Sequence, residues 1–105
     1  MKTQFWLWRN GGRMSVYVVT VDLDRLGTNY SVLRKKLFAL HALQAQGSVW
    51  LVRYDSGADA LRDHLQTDLD QNDRLFVAAL NDEWATFNMA PSRRWLEEAG
   101  PLSAP

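Results

Sequence analysis

Two aspartates, Asp22 and Asp24, close a run of β-branched and aromatic residues, and a Gly-Thr-Asn break then leads to a helix-like pattern that begins at Tyr30. A carboxylate at the end of a buried strand is a hard oxygen ligand. Mg²⁺ keeps several of its own waters and needs only one or two such ligands from protein. Asp24 lies two residues beyond Asp22 and shares its face if the strand continues that far. The same acidic strand end can instead hydrogen-bond the turn that follows it. His41 and His64 have no neighbour at a recognisable catalytic spacing, and each reads better as a helix-surface or satisfied histidine. Asp68, Asp70, Asp73, Asp82 and Glu83 lack calcium-loop spacing and suit solvated turns. Gly11-Gly12 does not open a helix in the way a phosphate-binding loop requires.

Charge is balanced in total but not along the chain. Residues 1–53 carry eight basic and two acidic side chains, a net +6, and residues 54–105 carry four basic and ten acidic ones, a net −6. The basic half can meet phosphates or pair with the acidic half. Arg13, Arg25, Arg34, Lys35, Lys36 and Arg53 are the candidates for phosphate contacts, and a dimer would duplicate them.

These residues need elements to position them. Ser15 to Asp22 reads as a strand, with Tyr17, Val19 and Val21 on one face and Val16, Val18 and Thr20 on the other. Both faces are largely apolar, so the strand wants cover on each. Helices can supply one cover, and a second subunit is the natural source of the other, through Val16 and Val18. Asn29 is the expected N-cap of a helix to about Leu40, with Tyr30, Leu33, Leu37 and Leu40 on one side. His41 to Gln46 is ambiguous between helix and strand, whereas Ser48 to Tyr54 reads as strand. Ser56 and Asp59 resemble a capping box before a helix whose buried stripe is Ala58, Leu61, Leu65 and Leu69. Arg74 to Leu80 is the last strand. Trp84 and Phe87 follow it and are expected at an interface. A short helix is read over SRRWLEEAG, before a Pro/Ser tail.

The chain of 105 residues has room for one small domain. Residues 1–13 read as an N-terminal extension or edge strand, 14–90 as the folded domain and 91–105 as a C-terminal tail. Met14 is the candidate natural start. The N-terminus lacks the apolar core and cleavage site of a signal peptide. No apolar run approaches the roughly 20 residues that span a bilayer, so no membrane partner is expected. With no cysteine, disulfides and Cys-based zinc sites are excluded, and a cytoplasmic location is expected. No small-molecule cofactor is expected.

Counting the ambiguous segment as a strand, the order is βαββαβ, the ferredoxin-like order of an α+β sandwich with an antiparallel sheet and two helices on one face. The first strand ending in Asp22-Leu23-Asp24, with Gln46-Gly47-Ser48-Val49-Trp50 later, resembles the small CRISPR-associated Cas-two family. The chain is still more similar to the Cas-two-like SinR-like proteins. That similarity takes in Asp22-Leu23, Asn29-Tyr30, Ser48-Val49-Trp50-Leu51-Val52, Asn72-Asp73-Arg74-Leu75 and Glu83-Trp84-Ala85, over roughly residues 15–87. The VapD toxins, a ribonuclease branch, are a more distant comparison.

The resemblance implies a homodimer of ferredoxin-like subunits whose ligand is RNA or DNA. It implies Asp22 as the catalytic residue and metal ligand of a Mg²⁺-dependent endonuclease; Asp24 is added as a candidate ligand by its spacing alone. It equally implies the alternative found within the family, a non-catalytic dimeric scaffold that bridges nucleic acid or a protein partner. After Asp24 the chain departs from the CRISPR pattern: Arg25-Leu26-Gly27-Thr28 replaces the usual acidic and basic run. This weighs against a role in spacer acquisition.

Overall fold

The computed structural model describes residues 15–24 and 28–98. The expectations for residues 1–13, including Arg13, and for Arg25 lie outside the described residues. Four strands and three helices follow one another as β1 (Ser15–Asp22), α1 (Thr28–Ala39), β2 (Leu43–Gln46), β3 (Val49–Tyr54), α2 (Gly57–Gln66), β4 (Arg74–Leu80) and α3 (Ala90–Glu98). The strands form one antiparallel sheet in the order β2-β3-β1-β4. This small α+β arrangement is compatible with a ferredoxin-like fold, and the ambiguous segment resolves as β2.

β1 is one of the sheet's two inner strands, paired on both sides: Thr20 faces Val49 of β3 and Phe76 of β4. Its alternation sorts the core. Tyr17, Val19 and Val21 meet Leu33 and Leu37 of α1, Leu61 and Leu65 of α2, and Trp50 and Val52 of β3. The four helical leucines are wholly buried, each worth about 1.5–3 kcal/mol of transfer free energy. Helix periodicity and strand alternation thus agree on one face.

On the other face, Val16 and Leu51 are buried with Leu96 of α3, flanked by Leu43, Ala45, Leu80, Trp84 and Trp95. The sequence expects a second subunit to cover this face. Within the chain, α3 already covers the part over Val16 and Leu51. The short helix read near the C-terminus is real, and its residue Leu96 joins a core. The part of this face near β4 stays open, with Phe76 62% exposed.

Local expectations change at the helix ends: α1 begins at Thr28, before the expected cap Asn29, and α2 ends at Gln66, short of Leu69. Ser56 precedes α2 but makes no capping hydrogen bond; its hydroxyl donates to Asp55 Oδ1 at 2.9 Å instead. The capping box therefore does not form: at φ −121° and ψ 12° the Ser56 backbone is outside the extended conformation from which an N-cap hydroxyl accepts from the first helical N–H groups. Gly57 opens the helix at φ +92°, a value that favours glycine. At the end of α1, His41 adopts φ +60°, with His41 N–H donating to Phe38 O at 2.9 Å and Ala42 N–H to Leu37 O at 3.0 Å. These two bonds make a Schellman cap with histidine in the place usually held by glycine.

Candidate functional site

β1 ends at Asp22, so Asp24 is not part of the strand and sits in the bend beyond it. Val21 N–H donates to Ser48 O at 3.0 Å, which ties the end of β1 to the turn between β2 and β3. Gln44 Nε2 donates to Gly47 O at 3.0 Å and braces the same turn. Between these segments and the start of α1 lies an open cleft of about 460 Å³, lined by Val21, Asp22, Leu23, Tyr30, Gly47, Ser48 and Trp50. Three stretches distant in sequence meet there.

The Asp22 side chain is 76% exposed and lies opposite Arg74 in the sheet, with Asp22 Oδ2 to Arg74 Nη1 at 3.8 Å. An exposed pair at that distance contributes at most about 1 kcal/mol, so it does not lock the carboxylate. By alternation Asp22 follows Val18 and Thr20 onto the open part of the second face. Asp24 is held differently. Its backbone N–H donates to Asp73 Oδ1 at 2.9 Å, while Asp73 Oδ2 accepts from Asp70 N–H at 2.9 Å. Asn72 N–H donates to Asp70 Oδ1 at 3.0 Å, so the polar turn before β4 is organised by its own carboxylates.

Among the described residues no group of three or more His, Asp or Glu side chains is placed to hold a metal ion. The donor chemistry at Asp22 nonetheless suits a hydrated Mg²⁺: one exposed carboxylate, projecting on the second sheet face from the rim of the cleft that Tyr30 and Ser48 line. One chain brings a single carboxylate to the cleft lining among the described residues.

The cationic candidates divide. Arg34 and Lys35 are exposed on α1. Lys36 instead bridges the two helices, its Nζ 2.6 Å from Asp68 Oδ2 and donating to His64 O at 2.8 Å. The Asp68 oxygen is buried and lacks an aligned hydrogen bond, so the ion pair is what compensates it. Arg53 lies beneath α3. Its Nη2 donates to Trp95 O at 3.2 Å, and its guanidinium sits 4.2 Å over the Trp95 ring. Burial pushes its pKa below the ordinary arginine value, partly offset by Glu98.

Val16 is buried under α3, and Val18 and Trp84 are half-buried at the same cluster. Phe87 is 91% exposed. His41 serves as the cap described above, and His64 stacks on Tyr54 at 6.5 Å between ring centroids. Sequence reasoning did not place Tyr30, Ser48 and Trp50 at the Asp22 site. Their presence in the segments of resemblance was the available signal. Phe76 was also missed, although the alternation of β4 puts it on the face of Arg74, Ala78 and Leu80.

No family model matches the chain, and no solved structure matches it. Among the described residues no helix is long and apolar enough to cross a membrane.

Proposed function

We propose that the chain is a Cas-two-like protein that engages nucleic acid as a homodimer and cleaves it in a Mg²⁺-dependent reaction at Asp22. One observation carries this reading: the cleft that Asp22 lines is also lined by Tyr30 and by Ser48 and Trp50, so three segments of the family resemblance meet there. Asp22 would hold the hydrated ion, with the Asp22 of a second copy as its partner ligand. Bound there, Mg²⁺ supplies Lewis-acid charge to a phosphodiester oxygen. Tyr30 and Ser48 bring hydroxyl groups to the walls that would orient the phosphate. Arg34 and Lys35 are the exposed cations for the rest of the backbone. Asp24, whose backbone is tied to Asp73, shapes the rim.

The dimer falls on the open part of the second sheet face. There Val18, Thr20 and Ala78 are half-buried and Phe76 is largely exposed, and Asp22 projects on the same side. A two-fold through this surface would be isologous and would bring the two copies of Asp22 toward one axis. Val16 is already covered by α3, so the proposed seam would lie nearer to β4.

The test is incubation of the pure protein with RNA and with duplex DNA, in Mg²⁺ or in chelator. Cleavage that disappears both with chelator and with Asp22→Ala supports the reading. Equal cleavage by wild type and Asp22→Ala removes Asp22 from catalysis. The second reading, a non-catalytic scaffold, is favoured by Asp22 being the one carboxylate among the described residues lining the cleft. It predicts salt-sensitive binding with no cleavage.

A further inference from the structure

Tyr30, Arg34 and Phe38 recur every fourth residue on α1 and so share one helix face. Tyr30 lines the Asp22 cleft. Phe38 lies two turns on, about 12 Å along the helix axis at 1.5 Å per residue. Its ring is 51% exposed, which is unusual for so large an apolar group. The ring is nonetheless held in place. It meets the buried Trp50 edge-on, at 5.6 Å between centroids and 77° between planes. The Arg34 guanidinium sits 4.9 Å from the Phe38 ring centroid. Lys35, next in sequence, is also exposed.

We propose that the Arg34–Phe38 stack is a base-binding platform, and that the nucleic acid it serves is single-stranded, running from the platform past Tyr30 to the Asp22 cleft. This rests on the nucleic-acid reading above and narrows it to a substrate class. A guanidinium plane and an aromatic ring are the two protein surfaces on which an unpaired base stacks. In a duplex the base faces are hidden, and such a platform has nothing to bind. The neighbouring cations suit the phosphates that accompany an extruded base. A docked helix or a lipid surface would need a contiguous apolar patch. Phe38 instead stands between charged side chains, and the other large exposed apolar residues among the described ones, Phe76 and Phe87, are not on α1. Fixing the ring through Trp50 lowers the ordering cost of stacking.

The experiment is fluorescence anisotropy of the full chain with short labelled single strands of RNA and DNA and with the matching duplexes. Chelator is present throughout, so that binding is read without cleavage. Single strands are expected to bind at least about 10-fold tighter than duplexes, and Phe38→Ala to weaken single-strand binding about 10-fold, within the range of base–aromatic stacking. Phe38→Tyr keeps the ring and is expected to bind like wild type. Arg34→Lys keeps the charge but not the plane, and is expected to lose affinity for single strands more than for duplexes. Because Arg34 is exposed, that variant reports even if Phe38→Ala fails to fold. Equal affinity for the two forms overturns the proposal, as does wild-type binding by both Arg34→Lys and Phe38→Ala. In either case nucleic-acid binding itself would stand. No binding of any form overturns both, whereas loss of Asp22-dependent cleavage alone touches only the catalytic reading.

Discussion

Lys36 looks from the sequence like one of three adjacent phosphate-binding cations, yet its ammonium lies against Asp68 Oδ2 and the carbonyl of His64. Removing it leaves a buried carboxylate oxygen without its counter-charge. Because both side chains are about a quarter exposed, the cost is discounted for solvent screening. Lys36→Met is expected to destabilise the fold by about 1–2 kcal/mol, read as a lower urea midpoint at unchanged slope. No shift in midpoint would mean that the bridge is a surface pair only. Arg53 was equally unreadable as a structural residue, since the ring and carbonyl that engage it belong to Trp95, far along the chain. Charge marks a side chain as able to bind phosphate. Whether it is spent inside the fold depends on partners that local pattern does not show.

At the scale of elements, local pattern did better. The leucine stripes of α1 and α2 and the alternation of β1 are direct consequences of 3.6- and 2-residue periods, and the core uses them as read. What local pattern missed were ends and covers. Ser56→Ala is expected to change stability by less than about 0.5 kcal/mol, because the hydroxyl makes no cap bond; a loss above about 1 kcal/mol would restore the capping box. His41→Gly is expected to raise stability by about 0.5–1 kcal/mol by relieving positive φ at the end of α1, checked by the same urea titration. The short C-terminal helix was readable, but the face it would cover was not. Leu96 is 6% exposed and joins Val16 and Leu51. Leu96→Ala is expected to cost about 2–4 kcal/mol and to speed amide exchange in α3 before the sheet. Uniform exchange with an unchanged midpoint would show that α3 adds little to the fold.

On the scale of the whole molecule, one face of the sheet is closed by α1 and α2 and the other is half closed by α3. The remaining apolar area around Phe76 and the placement of Asp22 on the same side are what a two-fold assembly would use. Light scattering is expected to give twice the 12.1 kDa chain mass, and Phe76→Asp to return it to the single-chain value. A wild-type mass of one chain would leave Asp22 without its partner ligand. The shared site can be counted directly. With Mn²⁺ in place of Mg²⁺, electron paramagnetic resonance measures the ions bound at saturation by wild type and by Asp22→Asn. Asp22 ligands shared across a two-fold predict one ion for every two chains, lost in Asp22→Asn. One ion per chain, or binding that survives Asp22→Asn, would contradict it.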